Sequence, residues 1–416
     1  MKKLSELLTE AVSQHPSRKL SEGECQTTKQ QRCSLCFASK IDYATELKNK
    51  QHAIDEFWSS LGTSIKPEPL ITSPLGRNYR TVSKRKAFIV GTSFFLGLIG
   101  VDDDSAKSYP MDIDRCSIEP ESHAHIYSII QELLQRKEQS NLVKEFNYVI
   151  VKGDDREATV ILNLNHFSSS NRREVNALSK SLTFKAKNVQ GVYVFVDEER
   201  SKYYLSGTPR KGVQSNPKPL TKIYGNEKLF HKTGNVKFLY SPLSFSQTNH
   251  SILESFIATA GNLLSLSKSD MLYDLYCGYG LFSLSFASQV KNVVGIELSR
   301  SSIQDAIENA KRNKLNNVRF HAADISAEIL PRFFKMETHN LKFLIDPPRN
   351  GTSEDVIEFA AEQQPQKVVH IFCNSEIIEK ELRKWKQCGY LPTKVQPFDM
   401  FPGTSEIEMM VLLEKQ

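Results

Sequence analysis

Three side chains in this sequence have the types and placement to do chemistry together, and each follows or opens a short apolar run. Phe343-Leu-Ile-Asp346 runs into Pro347-Pro348-Arg349, where the two prolines stiffen the exit. Val368 to Phe372 runs into Cys373-Asn374, and Ile407-Glu408 opens Met-Met-Val-Leu-Leu413. Each run reads as a strand of one sheet. Asp346, Cys373 and Glu408 would then stand near strand ends, where α/β sheets hold their ligands. A thiolate is a nucleophile, and a carboxylate can take up or release a proton. Any one of the three alone could be structural; together they form a candidate site.

A second element tells what such a site would face. Leu272-Tyr-Asp-Leu-Tyr276-Cys-Gly278-Tyr-Gly280-Leu reads as strand, tight loop and helix start, the opening unit of a doubly wound α/β domain. Gly278 and Gly280 let backbone pass close under a ligand, where a Cβ would clash. No Gly-Lys-Ser/Thr closes the loop, so it is not a Walker phosphate loop. Nineteen residues after Gly278, Val-Val-Gly-Ile ends in Glu297, an acid at the offset that holds ribose hydroxyls. An amphipathic helix (Ile252, Phe256, Ile257, Leu263) should precede the loop strand. A helix at 301–313 and a strand at 318–322 should follow Glu297. These elements predict a doubly wound α/β domain over residues 236–416.

The region before it carries different signals. Cys25, Cys33 and Cys36 have seven and then two residues between them, and Cys116 follows in Asp-Ile-Asp-Arg-Cys-Ser. Four thiolates could hold structural zinc or a 4Fe–4S cluster, and spacing does not choose between them. Gly76-Arg-Asn-Tyr79-Arg80 and Lys84-Arg85-Lys86 interleave cations with an aromatic ring, a pattern suited to RNA phosphates and bases. Residues 87–101, with Gly91, Gly97 and Gly100, form the longest apolar run. It is too short to span a bilayer as a helix and reads as a β-hairpin. Residues 144–235 read as mostly β (148–152, 158–164, 191–196), a scaffold or RNA-binding domain. The organisation expected is an extension over 1–22, with a surface helix bearing Leu4, Leu7, Leu8 and Val12, then a domain over 23–235, then the α/β domain.

Composition bounds the class. The chain has 416 residues, 39% hydrophobic and 25% charged, which is ordinary for a soluble multidomain protein. A net charge of +6 is compatible with a nucleic-acid partner. Seven cysteines without a secretory signal argue against a disulfide framework and for a cytoplasmic, non-membrane protein. Nothing implies an obligatory protein partner.

With these stretches in hand, residues 245–414 resemble the S-adenosylmethionine-dependent RNA uracil-5-methyltransferases. The matching pieces are Phe245-x-Gln247-x-Asn249, Asp274-x-Tyr276-Cys-Gly278-x-Gly280-x-Phe282, Glu297, Asp346-Pro-Pro-Arg349, Cys373-Asn374 and Phe401-Pro-x-Thr404-x-x-x-Glu408. The cysteine pattern is similar to the 4Fe–4S ligation of the ribosomal RNA branch, and the ending resembles its shorter 23S rRNA member. The sequence departs from the family at Ser375, where proline is usual, and at Gly403, Ser405 and Glu406, where histidines are usual. The resemblance implies a Rossmann-like methyltransferase domain and methylation of a loop uridine in 23S rRNA. It implies Cys373 as the nucleophile at uracil C6 and Glu408 as the base that removes the C5 proton. Gln247, Tyr276, Gly278, Gly280, Glu297 and Asp346 would line the cofactor and base site. A tRNA substrate or a catalytically weak RNA-binding paralogue is the alternative. A dehydrogenase would explain the glycine loop but not Asp-Pro-Pro with Cys-Asn. An amino-group methyltransferase would want an aromatic residue where Arg349 stands.

Overall fold

The structure, a computed structural model, describes residues 2–14, 36–63, 65–101, 107–135, 140–198, 205, 220–334 and 340–416. The chain forms two compact units. One gathers residues 1–19, 40–76 and 230–416; the other holds 20–39 and 77–229.

The first unit begins with α1 (Leu4–Ser13) and α2 (Tyr43–Ser60). Asp42 caps α2 by accepting from the Thr45 N–H at 2.8 Å. The spacing of Leu4, Leu7, Leu8 and Val12 does make a helix, but all four are buried and α1 packs on α2, so it is not a surface appendage.

The second unit is a seven-stranded sheet. Its elements are β1 (Val82–Val90), β2 (Ser93–Val101), β3 (Ser108–Asp112), α3 (Glu121–Leu134), α4 (Ser140–Val143), β4 (Phe146–Gly153), β5 (Ala158–Leu164), α5 (Ser169–Lys185), β6 (Val189–Val196) and β7 (Leu220–Gly225). The order is β3-β2-β1-β4-β5-β6-β7. β1 and β2 form the expected hairpin, turning at Gly91 with φ of 60°. Only β5 and β6 run parallel among these neighbours, and α5 makes the crossover that a parallel pair requires. A reading of this stretch as mostly β misses α5. Ile126, Ile130 and Leu133 of α3 join Val175, Leu178 and Leu182 of α5 in a core against Leu96, Val149, Val151, Val160 and Val192. One face of the sheet therefore carries the helices.

The first unit resumes with the hairpin β8 (Leu229–Thr233) and β9 (Val236–Tyr240), then α6 (Leu253–Leu264), β10 (Met271–Leu275), α7 (Leu281–Phe286), β11 (Asn292–Glu297), α8 (Arg300–Arg312) and β12 (Val318–Ala322). β13 (Leu341–Ile345), α9 (Val356–Glu362), β14 (Lys367–Phe372), α10 (Ile378–Gln387), β15 (Tyr390–Phe398) and β16 (Glu408–Lys415) complete it. Its sheet order is β12-β11-β10-β13-β14-β16-β15. β10 to β14 are parallel; β16 lies antiparallel to both β14 and β15. The chain reverses its winding between β10 and β13, and ligands of such sheets bind beyond the carboxyl ends at that point. The edge strand β15 is covered by residues 68–71. The Glu68 N–H donates to the Val395 carbonyl at 2.8 Å, the Ile71 N–H to Pro397 at 3.0 Å, and the Asp399 N–H to Ile71 at 2.9 Å. No described helix is long and apolar enough to cross a membrane.

Candidate functional site

The glycine loop leaves β10 in a conformation few sequences could hold. Tyr276, Gly278 and Gly280 all take left-handed φ values, of 66, 53 and 89°. Such a φ is costly for a tyrosine and marks a site where the surroundings enforce it. The enforcing contacts are backbone: the Tyr276 and Cys277 N–H groups both donate to the Ile296 carbonyl, at 2.9 and 3.1 Å. The Tyr276 hydroxyl accepts from the Ser353 N–H at 3.3 Å. Glu297 is held over the loop, one oxygen accepting from the Gly278 N–H at 3.3 Å and the other from the Ser299 N–H at 2.8 Å. A Cβ built on Gly278 meets nothing within 4 Å, so the loop faces open space there.

Beneath the loop, Asp274 is fully buried. Its Oδ2 accepts from the Ser283 N–H at 2.9 Å and Oγ at 2.6 Å, while Oδ1 has no protein partner. Burial, with Glu297 adding, pushes this carboxyl up to about 7. An orphaned buried acceptor, an acid positioned for hydroxyls and a loop open at Gly278 fit a nucleoside-bearing cofactor. In the Phe245-x-Gln247-x-Asn249 stretch, Gln247 is buried, and Asn249 ties segments together. Its Nδ2 donates to Ser73 Oγ at 2.9 Å and to the Met400 carbonyl at 3.1 Å.

The three reactive side chains converge. Asp346 follows β13 directly, at the winding switch, its N–H donating to the Leu275 carbonyl at 3.3 Å. Phe372 of β14 pairs with Met409 of β16, and one further step along that antiparallel register sets Cys373 across from Glu408. Cys373 is half-buried, its Sγ 3.9 Å from the Pro347 carbonyl. Burial pushes its thiol up to about 12, the Glu408 and Asp346 carboxylates push the same way, and the Arg349 guanidinium opposes them. Burial likewise holds Glu408 well above the usual carboxylate range, with Asp346 adding to it; its Oε2 has no protein partner. Asp346 is raised to about 7 by loss of solvent and by Asp274 and Glu297. Arg349 pairs with Glu406, and the Asn374 side chain bridges the two loops by donating to the Arg349 carbonyl at 2.9 Å.

A polar network that the sequence reading passed over fixes the approach to Glu408. Lys50, completely buried in α2, lies 2.7 Å from both Asp399 and Glu46 and donates to the Phe401 carbonyl at 3.2 Å. The Tyr43 hydroxyl donates to Asp399 at 2.8 Å, and the Gly403 N–H donates to Glu46 at 2.5 Å. Tyr43, Glu46 and Lys50 fall at helical spacing on one face of α2. That polar stripe beside Ala53, Ile54 and Phe57 was the available signal.

The remaining expected residues that the structure describes lie in the second unit. Cys25 and Cys33 fall outside the described residues. Cys36 and Cys116 are half-buried; burial and Glu119 hold the Cys116 thiol up, and Cys36 lies near enough to add to the effect. Cys36 Sγ accepts from the Ala38 N–H at 3.4 Å. Among the described residues no three potential ligands meet. Two residues expected to face RNA do not. Tyr79 is 2% exposed, so its ring cannot stack on a base. Arg85 is interior, donating to both Glu119 oxygens at 2.7 and 2.6 Å and lying over the Tyr127 ring. Strand alternation sends Arg85 to the helix face and leaves Lys84 and Lys86 on the other.

A doubly wound sheet, with an acid over a strained glycine loop and a thiol at a neighbouring strand end, fits an α/β transferase with a nucleoside-bearing cofactor. Residues 219–416 match the tRNA (uracil-5-)-methyltransferase family. An RNA methyltransferase of Clostridium tetani is 27% identical over 394 residues, 92% of this chain and 82% of that one. A 23S rRNA (uracil(1939)-C(5))-methyltransferase of Aliivibrio salmonicida is 34% identical over 232 residues, 56% of this chain and 50% of that one. Residues 219–416 therefore form a domain of the RNA uracil-5-methyltransferase family, and RNA methyltransferases are among the relatives that match beyond it. The fold is that of the Pyrococcus abyssi tRNA (uracil-54, C5)-methyltransferase solved with S-adenosyl-L-homocysteine. That structure superposes with a TM-score of 0.69 at 18% identity, over 93% of this chain and 86% of that one.

Proposed function

We propose that this protein is a cytoplasmic enzyme that methylates C5 of one loop uridine in 23S rRNA through a covalent cysteine adduct. The observation that carries the reading is the β14–β16 register, which puts Cys373 across from Glu408 beside Asp346. S-adenosylmethionine would be held by Gln247, Tyr276, Gly278, Gly280, Glu297 and Asp346, and supplies an electrophilic methyl group. Uracil C5 is a poor nucleophile. Cys373 gives up its thiol proton to solvent and adds to C6 as thiolate; the electrons of the C5–C6 double bond make C5 enolate-like, so that C5 would take the methyl group while the donor's sulfur leaves with the bonding pair as a thioether. Glu408, which must be ionised at this step against the effect of its burial, then takes the C5 proton, the double bond re-forms, and the Cys373–C6 bond breaks with the sulfur leaving as thiolate. In the resting protein Cys373 holds its proton, because burial and two neighbouring carboxyls disfavour the thiolate. Asp346, its carboxyl raised to about 7 by burial and by Asp274 and Glu297, would hold the uracil edge. The target base must leave its stack, which is easiest in a loop.

Labelled S-adenosylmethionine offered with transcribed 23S rRNA fragments and with tRNA tests the substrate. The cysteine pattern favours rRNA, and transfer to tRNA alone would overturn that half. The two catalytic roles separate by order of events. Cys373→Ala should form no adduct and transfer no methyl, whereas Glu408→Gln should accumulate a protein–RNA adduct carrying labelled methyl. A Cys373→Ala protein that still methylates RNA removes the nucleophile assignment.

Cys25, Cys33, Cys36 and Cys116 would hold a 4Fe–4S cluster with a structural role. The interacting Cys36 and Cys116 thiols support a shared centre, since a bound cation reverses the burial effect that keeps thiols protonated. Protein purified without oxygen should be brown and contain iron; stoichiometric zinc with no iron would contradict this.

A further inference from the structure

β1 sends alternate side chains to opposite faces. Ser83, Arg85 and Ala87 meet the helices, through His123, Tyr127 and Glu119 among others. Lys84, Lys86 and Phe88 stand on the other face. The registers extend that face across two neighbouring strands: Phe88 lies opposite Phe95 of β2, and Lys86 opposite Tyr148 of β4. The Phe88 and Phe95 rings stack with centroids 5.3 Å apart, and all three rings keep part of their surface exposed. Lys86 Nζ lies 5.7 Å from the centre of the Phe88 ring, and Lys84 Nζ lies 5.8 Å from that of Tyr148. The hairpin tip beyond them leaves Ile89 and Val90 each 54% exposed. Asp112, the acid on this face, stands two strands from β1.

We infer that the sheet face bearing Lys84, Lys86, Phe88, Phe95 and Tyr148 is a base-stacking surface for single-stranded RNA. The inference rests on the reading of the protein as an RNA enzyme and assigns it a binding surface in the second unit. Lysines alternating along one strand match the charge of a phosphate backbone. Phe88 and Phe95 spend one face on each other, and the surface that these rings and Tyr148 keep exposed is open to an unpaired base. A duplex keeps its bases stacked on one another and offers none to such rings. Each ammonium now lies over a ring, and a stacking base would displace it from there toward the phosphate.

The test is binding of a short labelled oligouridylate by the full-length protein, with duplex RNA of equal length as comparison, across a salt series. Phe88→Ala/Phe95→Ala should weaken single-strand binding by about tenfold or more while leaving the salt slope unchanged. Lys84→Gln/Lys86→Gln should instead lower that slope by about 1.4, two phosphate contacts at about 0.7 each. S-adenosylmethionine binding by calorimetry should be unchanged in both. If the alanine pair fails to fold, Phe88→Leu/Phe95→Leu keeps apolar bulk without the ring, and 5-iodouridine cross-linking of the parent should map to peptides bearing Phe88, Phe95 or Tyr148. Parent-like binding by the folded ring variants, or cross-links that avoid these peptides, overturns the inference. A protein that binds with these dependences yet methylates neither rRNA nor tRNA keeps this surface and removes the catalytic reading, so the two fail separately.

Discussion

Asp274 illustrates how a single residue can serve a site against the stability of the fold. It is fully buried with one oxygen unpartnered, and its carboxyl is raised from an ordinary 3.8 to about 7. The folded state therefore binds this proton more tightly than the unfolded chain does. The contribution to stability is complete below about pH 4 and is lost as pH rises through about 7. Asp274→Asn keeps an oxygen to accept from Ser283 and has nothing to ionise. Thermal melts between pH 4 and 8 should show a flatter profile for Asp274→Asn and a higher Tm at pH 8 than the parent has. Asp346, raised in the same direction, leaves a residual slope. Identical pH profiles for the two proteins would show that Asp274 does not carry this charge burden. At this scale the sequence was most legible where a reactive side chain ends or opens an apolar run, as at Asp346, Cys373 and Glu408. It was least legible where burial depends on which strand face a residue takes. Tyr79 and Arg85 read as surface groups; the pairing of β1 with its neighbours turns Arg85 inward, and Tyr79 is buried where the Asn78 and Arg80 N–H groups donate to the Ser117 and Ile118 carbonyls.

At the scale of elements, α2 and the segment 399–403 act as one piece. Glu46, Lys50 and Asp399 form a buried charge cluster closed by the Tyr43 hydroxyl, with the Phe401 carbonyl and Gly403 N–H tied in. Glu408 begins β16 five residues after Gly403, so the cluster sets where that strand starts. Removing one member of a buried ion cluster leaves uncompensated charge and typically costs about 3–5 kcal/mol. Lys50→Met should therefore lower stability by about that much in urea denaturation and reduce methyl transfer. Adding Asp399→Asn and Glu46→Gln should recover most of the stability, since no buried charge then lacks a partner. A Lys50→Met protein as stable as the parent would mean that the cluster is better solvated than its burial indicates. Most strands of both sheets were readable from apolar runs, and the glycine loop from its residues, but β3, β7 and β15 were not. The helix α5 was not, although Val175, Leu178 and Leu182 follow Ser168 at helical spacing. Its polar faces outweigh that stripe in a stretch flanked by β-branched runs. Nor could spacing show that β16 enters between β14 and β15, because strand order is set by long-range pairing.

For the whole molecule, the consequence is that sequence neighbours and structural neighbours part company. The first unit combines residues 40–76 with 230–416, while much of the chain between them builds the second unit. A fragment starting at residue 236, where a linear reading places the methyltransferase domain, would lack two supports. Without residues 68–71, the β15 edge loses the bonds made through Glu68 and Ile71, leaving an open strand prone to pair with other chains. Without α2, Asp399 stays buried with neither the Lys50 ammonium nor the Tyr43 hydroxyl beside it. The fragment 236–416 should therefore aggregate on expression, or melt well below the parent and bind S-adenosylmethionine poorly. Co-expression of residues 40–76 as a separate chain should restore soluble, cofactor-binding protein, because it returns both the edge partner and the counter-charge. The same co-expression with Lys50→Met in the short chain should restore less, since it covers the edge but leaves Asp399 without its ammonium. If the fragment alone binds cofactor with the affinity of the full chain, the N-terminal stretches are attached to the catalytic sheet without supporting it.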